Sequence, residues 1–367
     1  MINGFCESKY QIVKNIFQES ISQGVEKGGS FCIYNNGKKL IHLWGGKKDN
    51  IHDWNSNTLV NVFSVTKGIY EILVSKLIEL NEIDLKKPVY YYWKNFKDSS
   101  KRSITIENIL SHESGLFRFK QKLKIEDLID WEKIIKILED QIPEHEPGTR
   151  TFYHSQTHGY LIGEIIKKIL GQSIGKTLND LIIKKFNLNF FIGTPKNKIK
   201  NIACLDLKKL DSLSFNNNND IEELKQNIKF YNQQKWQAAE VPSINGHGDS
   251  ESIAKIYDLV ANDLKLEKNN IVKKKTLKIC LEEKKKRIDE FLNASIRWTN
   301  IGLILRGGWI FGKNKESFGH NGWGGSVGFA DPINGLGFSY ITNHLNPSMA
   351  ANSTAIRLIK SFYELFK

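Results

Sequence analysis

Residues 61–70 read Asn61-Val-Phe-Ser-Val-Thr-Lys-Gly-Ile-Tyr70, with Ser64 and Lys67 three residues apart. An apolar-periodic run follows at Ile69, Ile72, Leu73, Leu77 and Leu80, so the spacing predicts a helix carrying both polar side chains on one face of its first turn. Ser64 falls at the predicted helix start, where free N–H groups and the positive dipole end favour developing negative charge. A serine hydroxyl becomes a good nucleophile only when a neighbouring base takes its proton. A lysine is such a base only when burial or other cations lower its pKa. In isolation Ser-x-x-Lys is more often a serine N-cap followed by a solvated lysine, so the rest of the chain must decide.

The chain has 367 residues, 40% of them hydrophobic and 25% charged, which suits a soluble globular protein with a substantial core. The net charge of +13 is almost all Lys, spread along helix faces and loops instead of gathered in a stripe. That reads as solvated charge, and no nucleic-acid partner is expected. Cys6, Cys32, Cys204 and Cys280 show no C-x-x-C spacing, which argues against a zinc site or a disulfide framework. Neither a signal-peptide pattern at the N-terminus nor an apolar run long enough for a membrane span is visible. The expectation is a cytoplasmic protein.

Outward from the Ser64 helix, residues 9–24 have helical spacing and end at Gly24. Two alternating runs, Ser30-Phe-Cys-Ile-Tyr34 and Lys39-Leu-Ile-His-Leu-Trp44, flank Asn36-Gly37, a strong hairpin signal. Helices are expected at about 104–110 with Thr105 as cap, at 124–140, at 156–170 and at 251–264. Residues 145–150 make a Pro-Gly turn, Asn216–Asn219 a surface loop, and 267–287 an exposed connection and helix. Alternation at 301–311 and 335–343 predicts strands, and an amphipathic helix from Ala350 to Phe366 closes the chain.

Strands at both ends with helices between them predict an α+β fold: one antiparallel sheet built from both termini and flanked by helices, with a mostly helical insert. In a single domain of residues 1–367, residues 1–66 and 236–367 would form the sheet part and 67–235 the helical part. Ser64 falls where the two meet, a usual place for a site. Tyr153, after the Pro-Gly turn and opening a helix, is a candidate second proton-transfer group, able to approach phenolate beside a lysine or to relay a proton. His320-Asn321-Gly322 could form a substrate wall, and the N–H groups of Ser64 and Trp323 could hold an oxyanion. Each also reads as core packing or a glycine-rich turn when taken alone.

Taken together and in this order, the pieces resemble the serine β-lactamase and penicillin-binding-protein superfamily. The resemblance rests on Phe63-Ser-Val-Thr-Lys67, "IENILSHESGL" at 106–116, Glu146-Pro-Gly148 with Tyr153-His-Ser-Gln156, Asn245-Gly-His-Gly248, and Gly319-His-Asn-Gly-Trp-Gly-Gly325 with Gly328-Phe-Ala-Asp-Pro332. It covers about residues 10–365 and is nearest the class C-related branch that includes the family VIII carboxylesterases. It implies Ser64 as nucleophile, Lys67 and Tyr153 as proton-transfer groups, and His320, Gly322, Trp323 and Ser155 around the substrate, with no metal or cofactor. Two departures stand out: Ser155 replaces the asparagine of Tyr-x-Asn, and His320 replaces the lysine of Lys-Thr-Gly. Both weaken recognition of β-lactams, whose carboxylate that lysine attracts, so an ester substrate is expected ahead of a β-lactam or D-amino-acid amide. A non-catalytic binding descendant of the fold is the remaining alternative. The oligomeric state is left open.

Overall fold

The Asn36-Gly37 signal forms the predicted hairpin: strands Gly28–Asn35 and Lys38–Gly46 pair antiparallel across it, with φ +50° at Asn36 and +85° at Gly37. The computed structural model describes residues 1–208, 218–284, 287–347 and 352–366. Around the hairpin grows an antiparallel sheet of nine strands among these residues. Its order is Ile2–Cys6, Lys38–Gly46, Gly28–Asn35, Leu336–Thr342, Val327–Asp331, Phe318–Asn321, Ile304–Leu305, Ala294–Trp298 and Arg287–Asp289. The two ends of the chain meet in its middle, where Phe338 pairs with Ile33 on one side and with Phe329 on the other.

The alternation of side chains separates the two faces. Phe31, Ile33, Phe329, Phe338 and Tyr340 face the terminal helices Gln11–Ser22 and Ser353–Leu365, packing with Val13, Phe17, Leu358 and Phe362. Helix Ser250–Leu266 lies across the other face. Gly337 lets it come close, because a Cβ there would sit 2.2 Å from the Ala254 carbonyl oxygen. Helix Val65–Glu79 runs through the core beside strand Phe318–Asn321, and helices Trp131–Asp140 and Thr157–Leu170 pack around it. No helix among the described residues is long and apolar enough to cross a membrane.

The Thr105 cap forms as expected, in a reciprocal capping box with Asn108. Other expectations need correction. The chain opens on strand Ile2–Cys6, ahead of the first helix. The run at 301–311 yields only the short strand Ile304–Leu305, because Gly302, Gly308 and Trp309 adopt positive φ and turn the chain. The longer strand in this region is Ala294–Trp298, which had no prediction. Asn218 and Asn219 open helix Asn218–Tyr231 instead of lying in a loop, whereas Asn216 and Asn217 lie outside the described residues, as do Ala350 and Ala351.

Candidate active site

Ser64 is the residue before helix Val65–Glu79, yet its hydroxyl caps no helix N–H. It is turned toward Lys67 instead, with Lys67 Nζ 3.2 Å from Ser64 Oγ. The N-cap reading of the pair is therefore excluded by geometry. Phe63, immediately before the serine, has φ +46°, a left-handed conformation that costs a non-glycine residue energy and recurs at functional turns.

Lys67 is fully buried, which excludes the solvated alternative. Its amine donates to the carbonyl oxygens of Ser155 at 2.8 Å and Ser243 at 3.1 Å. Burial pushes its pKa down to about 7, against the field of Glu71, which works to raise it. A neutral amine has two N–H bonds and one lone pair. With both hydrogens spent on carbonyls, the lone pair is left for the Ser64 hydroxyl. That is the arrangement a lysine base needs.

Tyr153 lies in the irregular segment ahead of helix Thr157–Leu170, not at the helix start as the sequence suggested. Its hydroxyl donates to Ser64 Oγ at 2.9 Å, and Lys67 Nζ sits 4.9 Å from its ring centre. Burial holds the phenol well above its ordinary pKa, so of the two expected roles the proton relay fits and the phenolate does not.

The loop after strand Phe318–Asn321 brings up the far wall. A Cβ on Gly322 would lie 2.2 Å from the Val62 carbonyl oxygen, so only glycine lets the loop press against the segment leading to Ser64. The next residue, Trp323, meets Phe63 edge-to-face at 5.2 Å. Among the described residues neither the Ser64 N–H nor the Trp323 N–H donates to another backbone group. His320 is buried, with its ring 6.0 Å from that of Tyr153. Its Nδ1–H donates to the Asn321 carbonyl at 2.7 Å, leaving Nε2 as a buried acceptor with no partner among the described residues. Burial and the neighbouring Lys67 lower its pKa to about 3, so the ring presents no charge. Ser155 contributes its carbonyl oxygen.

The site is a tight slot, with Ser64 only 4% exposed. A roomier surface cavity of about 830 Å³, lined by Ile78, Tyr92, Glu107 and Asn300 among others, does not include Ser64. It gathers none of the groups described above.

Three contributors went unread in the sequence. Ser243 acts through a carbonyl, which leaves no mark on side-chain patterns. Glu71 is fully buried one turn beyond Lys67, with both carboxylate oxygens unpartnered among the described residues and its pKa driven up by burial. A lone acidic residue inside an apolar helical run was the available signal. His112 sits behind Tyr153 within the stretch already noted at 106–116, and nothing in the sequence assigned it a task.

An antiparallel sheet joined from both termini, with a buried serine–lysine–tyrosine cluster beside its strand Phe318–Asn321, is the layout of the β-lactamase and penicillin-binding-protein class. The chain belongs to the Beta-lactamase family, whose model matches residues 13–361. It is 22% identical over 366 residues to "Esterase/beta-lactamase LipL" of Mycobacterium tuberculosis, covering 93% of this chain and 83% of that one. Among solved structures it is similar to a family VIII carboxylesterase, with a TM-score of 0.89 and 30% identity over 100% of both chains. A penicillin-binding-protein homolog from Caulobacter crescentus gives a TM-score of 0.88 and 26% identity over 100% of both chains.

Proposed function

We propose that this protein is a serine hydrolase that cleaves carboxylic esters of small or medium acyl groups through a covalent acyl-enzyme on Ser64. The observation that carries this reading is the shared contact of Ser64 Oγ with the Lys67 amine at 3.2 Å and the Tyr153 hydroxyl at 2.9 Å. The family VIII carboxylesterase neighbour and the esterase-named relative support ester hydrolysis.

Lys67 takes the Ser64 proton as Oγ attacks the ester carbonyl. The Ser64 and Trp323 N–H groups receive the resulting oxyanion. On collapse the carbon–oxygen bond to the alcohol breaks, and the departing oxygen takes the Tyr153 proton. The Lys67 ammonium returns a proton to the phenolate, so both groups end as they began. Water then attacks the acyl-Ser64, giving its proton to Lys67, and the acid leaves as Ser64 regains a proton. The uncharged His320 and the aromatic surface of Trp323 and Phe63 favour neutral ester substrates over anionic β-lactams. A cytoplasmic location is part of this proposal, supported by four unpaired cysteines.

Turnover of p-nitrophenyl acetate and butyrate by the wild type and by Ser64→Ala tests the assignment. Loss of at least about 10³-fold in kcat is expected for the variant, as for removal of a nucleophile. Unchanged hydrolysis overturns it, and a faster rate with nitrocefin than with the esters overturns the choice of substrate.

A further inference from the structure

Tyr153 is held by its backbone as tightly as by its ring. Three consecutive N–H groups around it are each taken by a buried acceptor. The Phe152 N–H donates to the His112 carbonyl at 3.0 Å, the Tyr153 N–H to Asp289 Oδ1 at 3.2 Å, and the His154 N–H to His112 Nδ1 at 3.1 Å. His112 and Asp289 are both 0% exposed. The His112 ring also meets the Tyr153 ring edge-on at 5.0 Å, while Trp298 lies parallel to it at 5.9 Å.

His112 reaches both flanks of Tyr153 because its own backbone is left-handed, with φ +63°. That conformation is costly for most side chains and is tolerated best by Asn, Asp and His. Because Nδ1 accepts a hydrogen bond, the neutral ring carries its proton on Nε2. Burial, with His158, His154, Lys67 and His320 facing it, keeps the ring neutral well below its usual range, so the acceptor persists at acid pH. Asp289 Oδ1 additionally accepts from the Phe291 and Leu292 N–H groups, tying the tip of the Arg287–Trp298 hairpin to the same point.

We propose that His112 and Asp289 are positioning residues that clamp Tyr153 for proton delivery to the leaving alcohol. The proposal rests on the hydrolase reading above. It concerns only the step in which the alcohol departs, and that step can be isolated by choice of leaving group. A p-nitrophenolate departs without help, and fluoride departs from a fluorophosphonate likewise. A simple alkoxide needs the phenol's proton.

The experiment compares methyl butyrate, p-nitrophenyl butyrate and fluorophosphonate labelling of Ser64 in the wild type, Tyr153→Phe, His112→Asn, His112→Leu, Asp289→Asn and Asp289→Leu. Asn at either position keeps an acceptor oxygen, and at 112 it also suits the left-handed backbone. His112→Leu and Asp289→Leu are expected to follow Tyr153→Phe. Their kcat for methyl butyrate should fall about 10²-fold, with p-nitrophenyl butyrate and labelling falling less than about tenfold and KM little changed. Both Asn variants should stay near wild type. Equal loss on all three probes, or no loss on any, overturns the clamp. If a Leu variant does not fold, Ala at the same position removes the acceptor without adding bulk and is read by the same criterion. If Ala also fails, a selective loss in the matching Asn variant overturns the proposal, and its retention of methyl butyrate turnover supports it. Absence of Ser64 labelling in the wild type overturns the hydrolase reading itself and is seen before any variant is made.

Discussion

In the proposed mechanism, the fully buried Lys67 amine is the base. An ammonium cannot accept the Ser64 proton, so kcat/KM should rise about tenfold per pH unit up to about 7 and level off above it. The same shift acts on stability. Between about 7 in the folded chain and the ordinary 10.5, the unfolded chain binds the proton that the folded chain has lost. Stability from this group therefore rises with pH across that window. Thermal unfolding of the wild type and Lys67→Met from pH 7 to 10 should show a steeper rise for the wild type. Equal slopes would mean that Lys67 keeps its proton in the folded state. The relevant burial is a product of distant chain: the carbonyls that cradle the amine lie 88 and 176 residues away. A Ser-x-x-Lys spacing alone carries no trace of them.

At the scale of elements, the proposed oxyanion wall depends on how closely one loop approaches another. Gly322 lies against the Val62 carbonyl, where a Cβ would be 2.2 Å away. Gly322→Val should push the loop outward and withdraw the Trp323 N–H, lowering kcat for p-nitrophenyl butyrate about 10²- to 10³-fold, the range for losing one oxyanion donor. Circular dichroism should show the fold retained. A variant with normal kcat would remove Trp323 from the proposed role. Elements with strong local signals were readable from sequence: the Asn36-Gly37 hairpin, the Thr105-capped helix, and the helices at 157–170 and 250–266. Strands Ile2–Cys6 and Ala294–Trp298 were not: the first, Ile-Asn-Gly-Phe-Cys, has no clean alternation, and the second, Ala-Ser-Ile-Arg-Trp, alternates over five residues only, too short a run to stand out from its surroundings. Pairing with a neighbouring strand defines them. At 301–311 alternation misled, since positive φ at Gly302, Gly308 and Trp309 bends what would otherwise have been one strand.

For the whole molecule, the two ends of the chain depend on each other. Helix Ser353–Leu365 covers Phe338 and Tyr340 together with Tyr10 and Phe17 from the other terminus, and Tyr10 stacks on Phe362 at 4.8 Å. Deleting residues 353–367 would uncover the central strands of the sheet, and the truncated chain should be insoluble or lack a cooperative melt. A soluble, cooperatively folding truncation would contradict this packing.

What the sequence determined by itself is what short-range chemistry encodes. Turn dipeptides, helical and strand periodicity, and the order of Ser64, Lys67, Tyr153 and His320 along the chain all act within a few residues or survive as spacing. The α+β class and the family followed from them. What the tertiary structure decided is the electrical state of those residues. The lowered pKa of the Lys67 amine, the raised pKa of the Tyr153 phenol and the uncharged His320 ring all follow from burial by distant segments. So does the placing of His112 and Asp289 around Tyr153. Desolvation depends on which segments exclude water from a group, and only the folded chain brings those segments together.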